Sequence, residues 1–445
     1  MSPDEKNSLK KRVGRYAEVT STVLRVGAET SARSLLQKPL DNAGKAEILR
    51  RAMGGLKGPI MKIAQILGTI PDLVPKEYAD AFAELQANAP PMGPAFVKRR
   101  MAAELGPAWQ SQFRSFDLQA AAAASLGQVH RAEGLDGRAL ACKLQYPDMA
   151  SVVEADIRQM KIAFAVYEHY DRAVATKDVQ AEIANRLREE LDYKHEAQAM
   201  VLFRAMLAEF GGVHIPEIVA SLSTDRLLTM DWLSGARLAD VANEAEEDVR
   251  NEVACNLFYA WYLPFYRYAI LHGDPHLGNY TVCPDNSLNL FDFGCIRVFE
   301  PRLVQGVLSL YKSLIEDKPD LAVEAYRSWG FAEPSQDLIA ILNIWARFIY
   351  APLLEDRERL IEETNTGLYG RETANKIHLE LRKIGGITIP RAFVFMDRAA
   401  VGLGSVFLRL RARLNWRALF EDVVGAFDLA EVTQAQAEIL KKARL

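Results

Sequence analysis

The stretch HGDPHLGNY, residues 272–280, is followed by a second short motif, DFG, at residues 292–294. Asp274 and Asn279 lie five positions apart, and Asp292 lies thirteen positions after Asn279. Carboxylate and amide oxygens are hard ligands of the kind that magnesium prefers. The two motifs therefore predict one site at which a divalent cation and phosphate groups meet.

The spacing of these residues is that of a kinase catalytic loop, Asp-x-x-x-x-Asn, followed by its metal-binding tripeptide. Transfer of the terminal phosphoryl group of ATP needs magnesium across the phosphates and a carboxylate near the attacking oxygen. We therefore predict Asn279 and Asp292 as magnesium ligands. Asp274 is predicted to be the catalytic residue that orients the incoming hydroxyl or water, or accepts its proton.

Two simpler interpretations of the same stretch are open. The polar residues could belong to ordinary turns, although motifs at these intervals would seldom coincide by chance. His272 and His276 could instead hold zinc, but a helix would be needed to bring both imidazoles to one face. Gly273, Pro275 and Gly278 favour a loop at this point.

Lys143 is a single cation inside the apolar stretch ALACKLQ, residues 139–145. This stretch and GQVHRAE, residues 127–133, flank the turn signal GLDG, which predicts a β-hairpin. In a kinase-like lobe, a strand lysine reaches the α- and β-phosphates and is held by a helical glutamate. Glu196 is the candidate partner, and because it lies 53 residues later, helices must be inserted between the two.

Three features depart from an ordinary protein kinase. Five alanines, residues 120–124, replace the glycine-rich phosphate loop, and a Cβ on each residue disfavours close wrapping of a phosphate. The hydroxyl of Ser125 is a candidate to grip the nucleotide instead. Gly273 replaces the arginine that would read a phosphorylated activation loop, and no Ala-Pro-Glu motif follows Gly294. Phosphorylation of peptides is therefore not expected.

From about residue 50 to residue 425, the chain resembles the UbiB/AarF family of atypical kinases. The motifs that carry the resemblance are the catalytic loop HGDPHLGN, the alanine-rich loop of Ala122, Ala123, Ala124 and Ser125, the signature residues Lys62 and Gln65, and the Glu-x-Asp motif of Glu190 and Asp192. The resemblance implies ATPase activity, a link to ubiquinone or other isoprenoid-lipid metabolism, and membrane association of many members.

The same resemblance implies that the helix carrying Lys62 and Gln65 forms a lid over the active site. Glu190 and Asp192 would meet this lid, and peptide substrates would be blocked. Lys62 and Gln65 are three positions apart, which places them on one face of a helix. Ala64 stands where the family has glycine, so the lid would sit slightly further out.

Nucleotide contacts are implied as well. The alanine-rich loop and Lys143 would contact ATP or ADP, and the backbone of the hinge MDWLSG would hold the adenine. The hinge residues are Asp231, Trp232, Leu233 and Ser234.

The rest of the chain indicates an α+β, two-lobed, kinase-like fold. Residues 1–115 show helical periodicity and are predicted to form an N-terminal extension. Residues 116–233 are predicted to be an N-lobe with inserted helices, and residues 234–445 a mostly helical C-lobe. The aromatic run 255–271 is predicted to be a buried helix, because Pro264 and Arg267 interrupt it too much to span a bilayer.

The overall composition limits the possible partners and the cellular compartment of the protein. A net charge of −4 gives no general attraction to nucleic acid. The four cysteines are far apart without a CxxC pair, which fits a reducing compartment. No secretory signal is visible, so we expect a cytoplasmic protein with at most peripheral membrane contact. The sequence predicts no oligomeric state.

The expected function is magnesium-dependent ATP hydrolysis, or phosphoryl transfer to a small or lipid-linked molecule, in support of isoprenoid-quinone or lipid metabolism. One alternative is a phosphotransferase of the aminoglycoside or choline kinase kind, whose catalytic loop has the same spacing. Another is a lipid-binding module that ATP switches without any phosphoryl acceptor. The acceptor is left open, because a nucleotide site does not specify it.

Overall fold

The computed structural model describes residues 92–124, 126–170, 177–331, 333–363, 371–384, 390–425 and 427–445. These residues belong to one compact unit, Pro91–Leu445. The predicted lid residues Lys62 and Gln65, and Ser125 of the alanine-rich loop, lie outside the described residues. The predicted N-terminal extension also lies outside them up to residue 91.

Within the described residues, the helices are α1 (Pro94–Leu105), α2 (Met149–Tyr170), α3 (Lys177–Glu189), α4 (Tyr193–Met206), α5 (Leu238–Glu244), α6 (Glu247–Tyr268), α7 (Pro301–Glu316), α8 (Pro319–Ser328), α9 (Gln336–Tyr350), α10 (Arg371–Lys383), α11 (Arg391–Leu410), α12 (Trp416–Val424) and α13 (Leu429–Ala443). The strands are β1 (Phe113–Phe116), β2 (Ala122–Ala123), β3 (Gly127–Gly134), β4 (Ala139–Gln145), β5 (Val213–His214), β6 (Leu227–Asp231), β7 (Ala236–Arg237), β8 (Ile270–Leu271), β9 (Tyr280–Val282), β10 (Leu288–Leu290) and β11 (Arg297–Val298).

An antiparallel sheet of five strands forms the N-lobe. β3 pairs with β4 and β4 pairs with β6, while β1 and β2 both pair with the other edge of β3. The β3–β4 hairpin turns at the GLDG signal, where Gly137 has a positive φ of 84°. The predicted hairpin is therefore confirmed.

The pleat of β4 decides the direction of Lys143. Leu140, Cys142 and Leu144 are buried in one cluster with residues of α1. Successive side chains of a strand point to opposite faces of the sheet. Lys143 therefore lies on the other face, where it contacts α4.

The C-lobe is built around α6, whose buried side chains include Phe258 and Trp261. The buried helix predicted over the aromatic run is confirmed, and it continues through Pro264. Ala269, in the left-handed region with a φ of 52°, ends the helix. None of the helices in the described part of the chain is long and apolar enough to cross a membrane.

Two small sheets hold the segment that carries the predicted catalytic motifs. β8 pairs with β11, and β9 and β10 pair within the order β5–β10–β9–β7. The pairing of β8 with β11 therefore fixes both ends of the segment that lies between them. The α+β class is confirmed by this mixture of sheets and helices. The predicted domain boundaries stay predictions, and the first strand of the N-lobe sheet begins at Phe113.

Candidate active site

The ion pair between Lys143 and Glu196 joins β4 to α4. Nζ of Lys143 lies 2.6 Å from Oε1 and 2.9 Å from Oε2 of Glu196. At the start of α4, Asp192 accepts hydrogen bonds from the backbone N–H groups of Lys194 and His195. This N-cap fixes where the helix begins, and Glu196 follows in its first turn. Two residues that are far apart in sequence are therefore brought into contact.

Lys143 also faces Asp292. Its Nζ lies 3.6 Å from Oδ1 of Asp292, and the Lys143 side chain is only 12% exposed. Burial by itself lowers the pKa of Lys143, but the carboxylates of Asp292 and Glu196 outweigh burial, so the pKa is raised. Lys143 is therefore a permanent cation between two carboxylates.

Tyr193 is a site residue that the sequence analysis missed. Nζ of Lys143 lies 5.3 Å from the centroid of its ring, within the range of a cation–π contact. Burial raises the pKa of Tyr193, and its buried hydroxyl has no hydrogen-bond partner among the described residues. The only available signal was its place between Asp192 and Glu196, at the start of the helix.

The DFG motif is anchored by its phenylalanine. Phe293 is fully buried, and its ring centroid lies 5.2 Å from that of Phe203 on α4 and 5.1 Å from that of His272. Asp292 has a positive φ of 58°, a conformation that aspartate adopts more readily than most residues. The buried ring thus holds the backbone that directs Asp292 toward Lys143.

Asp274 and Asn279 lie side by side. Nδ2 of Asn279 donates to the backbone oxygen of Asp274 at 3.1 Å and to its Oδ2 at 3.2 Å. Both residues are 8% exposed. The backbone oxygen of Asn279 accepts a hydrogen bond from the N–H of Phe291 at 2.9 Å. The catalytic-loop pair is therefore tied to the residue that directly precedes Asp292.

His272 supports the loop from inside the core. It is fully buried, and its Nε2 lies 3.2 Å from the backbone oxygen of Phe291. Burial lowers the pKa of His272, so its ring is neutral near pH 7. Nδ1 of His276 instead accepts a hydrogen bond from the N–H of Gly278. In the described part of the chain, no three His, Cys, Asp or Glu side chains are grouped to hold a metal.

Gly273 is a position where a side chain cannot be accommodated. Its φ is +81°, and a Cβ there would overlap the backbone oxygen of Cys295. We expect Gly273→Ala to lower the free energy of unfolding by about 2–4 kcal/mol, because strain and overlap add. Urea denaturation measures the loss. Gly211→Ala is the matched control, since a Cβ at Gly211 meets nothing within 4 Å. Equal stability of the two variants would contradict this account.

The two residues of the Glu-x-Asp motif have different surroundings. A Cβ added to Gly294 would lie 3.8 Å from Cα and Cγ of Glu190, so Glu190 adjoins the DFG motif. Asp192 is exposed and caps α4. Their predicted contact with Lys62 and Gln65 stays a prediction, because those partners lie outside the described residues.

The alanine-rich loop is part of the sheet. Ala122 and Ala123 form β2 and pair with β3. The N–H of Ala124 donates to the backbone oxygen of Gly127 at 2.9 Å. These backbone groups therefore stabilise the hairpin. In this respect the alanine-rich loop differs from a glycine-rich loop, whose backbone is free to bind phosphate.

The predicted hinge connects the two larger sheets. The N–H of Trp232 completes the pairing with β4 through a hydrogen bond of 2.8 Å. The backbone oxygen of Ser234 accepts a hydrogen bond from Nδ2 of Asn289 at 3.1 Å. Asp231 ends β6, and Leu233 lies between the two anchored residues. The segment is thus fixed at both ends.

This fold, with a strand lysine paired to a helical glutamate and a polar loop beside a DFG motif, defines a kinase-like protein. The chain belongs to the ABC1 atypical kinase-like domain family, whose model matches residues 84–325. The predicted membership of the UbiB/AarF kinases is confirmed.

Named relatives agree with this membership. The chain is 27% identical over 325 residues to the mitochondrial atypical kinase coq-8 of Caenorhabditis elegans, which covers 72% of this chain and 43% of that protein. It is 32% identical over 263 residues to a probable protein kinase UbiB of Aliivibrio fischeri, which covers 57% of this chain and 46% of that protein. The matches therefore span less than half the length of these relatives.

A solved structure shares the fold. Rv3197 of Mycobacterium tuberculosis, determined in complex with erythromycin, matches with a TM-score of 0.59 and 24% identity. The match covers 91% of this chain and 98% of that chain. At this level of identity the likeness shows the fold alone.

Proposed function

We propose that this chain binds ATP with magnesium and either hydrolyses the terminal phosphate or transfers it to a small or lipid-linked acceptor. The observation that carries the proposal is the contact of Lys143 with both Glu196 and Asp292, at 2.6 and 3.6 Å. A lysine held in this way is how kinases position the α- and β-phosphates beside the metal-binding aspartate. Membership of an atypical kinase family supports it.

Asn279 and Asp292 are the residues that would hold magnesium. Both offer hard oxygen atoms, which suit this ion. Both side-chain hydrogen bonds of Asn279 use Nδ2, so its Oδ1 is the atom that would face the cation. Magnesium commonly takes its remaining ligands from phosphates and water, so two protein oxygens fit such a site. When bound, the ion offsets negative charge on the phosphates.

Asp274 would act on the acceptor. Its carboxylate is held at 3.2 Å by Nδ2 of Asn279, which fixes its orientation. A carboxylate so placed can orient an incoming hydroxyl or water and accept its proton. Lys143, which lies 3.6 Å from Asp292, would hold the phosphates while this step occurs.

The remaining predicted residues would bind the nucleotide and close the site. We assign the adenine to the backbone of Asp231, Trp232, Leu233 and Ser234. The alanine-rich loop would cover the phosphates, with the hydroxyl of Ser125 as a donor. Lys62 and Gln65 would close over the site against Glu190 and Asp192.

An acceptor in isoprenoid-quinone or other lipid metabolism completes the proposal. The names coq-8 and UbiB of the relatives connect the family to ubiquinone biosynthesis and support this choice. Contact with a membrane would be peripheral.

Labelled ATP tests the proposal. The full chain is incubated with ATP that carries a label in its γ-phosphate, with magnesium and then with excess chelator. We expect ATP to lose its label when magnesium is present. The loss should stop when chelator is added and resume when magnesium is restored. Label in free phosphate indicates hydrolysis, and label in a lipid extract indicates transfer. Binding of ATP without any loss of label would favour the switched lipid-binding module and reject the enzyme.

A further inference from the structure

The C-lobe contains a cavity of about 150 Å³ behind the catalytic loop. Its walls come mostly from α6, α7, α9, α11 and α12, and they are almost entirely aromatic and aliphatic. Leu271 and Trp261 belong to the wall nearest the loop. Trp261 donates a hydrogen bond from Nε1 to the hydroxyl of Tyr280 at 2.9 Å, and its ring centroid lies 5.5 Å from that of His272.

The pocket opens in part to solvent, so it is not a sealed void. A carbon-lined pocket with about 150 Å³ of accessible volume can hold a benzene-sized molecule. Covering its apolar wall removes that surface from water, which favours binding. The volume and the carbon-rich wall therefore both favour a ring-sized apolar occupant.

One polar group in the wall indicates the chemical class of the ligand. Tyr266 is 4% exposed and lines the cavity, and its hydroxyl has no hydrogen bond to any residue in the described ranges. Burial raises the pKa of Tyr266, with Tyr350 and Tyr262 adding to the effect, so the hydroxyl is neutral. The hydroxyl of Tyr350, in the same wall, instead donates to the backbone oxygen of Val307 at 2.9 Å. A ligand that covers this hydroxyl and accepts its hydrogen avoids leaving the donor unpaired when water is displaced.

We infer that this cavity binds a ring-sized apolar group that carries one hydrogen-bond-accepting oxygen, such as a carbonyl, with Tyr266 as the donor. The ligand is either a small molecule or the ring-sized end of a larger apolar one. The inference concerns binding alone, so it holds or fails independently of the phosphoryl chemistry at Asp274.

Titration with para-fluoroacetophenone, followed by fluorine NMR, tests the inference on the full chain. We expect saturable binding to the wild type. Ala346→Leu fills the cavity from α9 and should weaken binding more than about tenfold, because the ligand and the added side chain compete for one volume. Ala340→Leu is the matched control: residue 340 lies on the exposed side of the same helix, so binding should be unchanged. Ala399→Leu fills the cavity from α11 and replaces Ala346→Leu if that variant does not fold.

Tyr266→Phe tests the polar part. The substitution should lower the affinity for para-fluoroacetophenone about fivefold and leave the affinity for fluorobenzene unchanged. Only the carbonyl of the first ligand accepts a hydrogen bond from Tyr266. An equal loss of affinity for both ligands would overturn the assignment of Tyr266 as the donor. Binding that does not saturate, or that is equal in the wild type and both filling variants, would overturn the cavity as the site.

Discussion

Asp292→Asn is expected to lower the rate of ATP turnover by at least about a hundredfold while the chain stays folded. The substitution removes the negative charge that would bind magnesium and preserves the shape of the side chain. Asparagine also tolerates the positive φ of 58° at this position, so the backbone should be unstrained. Phosphate release at saturating ATP measures the rate, and thermal unfolding measures the fold.

Asp317→Asn is the matched control for this experiment. Asp317 also has a positive φ, of 53°, but it is exposed at the C-terminal end of α7. Turnover should therefore be unchanged in this variant. A raised magnesium concentration should partly restore Asp292→Asn, because the defect lies in metal affinity. Equal rates in the wild type and Asp292→Asn would remove the proposed metal role of Asp292.

The N-lobe could be predicted from the sequence where short-range rules decide it. The apolar runs GQVHRAE and ALACKLQ on either side of the GLDG turn predicted β3, β4 and the hairpin between them. Lys143 was singled out as the one cation in the second run. Glu196 was predicted only because a kinase-like strand lysine needs a helical glutamate as its partner, and 53 residues separate the two. Their distance of 2.6 Å depends on how α4 packs, which no local pattern encodes.

The backbone geometry at the site could not be predicted from the sequence. Asp292 has a positive φ directly before Phe293, which is buried against Phe203 and His272, and these contacts join three separate segments. Asp192 has a second role that its motif obscured. An aspartate directly before a helix is an N-cap signal, so its capping of α4 was open to prediction.

The C-lobe shows a different limit. The aromatic run 255–271 predicted a buried helix, because composition and length decide burial. The cavity beside that helix depends on the volume left between helices that are distant in sequence. Periodicity shows which face of a helix is buried but not how completely its neighbours fill the space.

Lys143→Met is expected to lower the free energy of unfolding by about 3–5 kcal/mol. Methionine keeps an unbranched apolar side chain but leaves Glu196, which is 3% exposed, without its cation. Asp292 then adds repulsion to the uncompensated carboxylate. Urea denaturation measures the change. Lys194→Met is the control, because Lys194 pairs with Asp225 on the exposed surface, and its loss should change stability little.

The double variant Lys143→Met/Glu196→Leu decides whether charge causes the loss. Replacing both members of a buried ion pair with apolar side chains is often close to neutral, so the double variant should recover most of the stability that Lys143→Met loses. The double-mutant cycle then gives a large coupling energy between the two residues. If the two single losses simply add, the contact of 2.6 Å contributes no coupling, and Lys143 is held by packing alone. ATP turnover should stay absent in the double variant, because a restored fold without Lys143 still lacks the cation proposed to hold the phosphates.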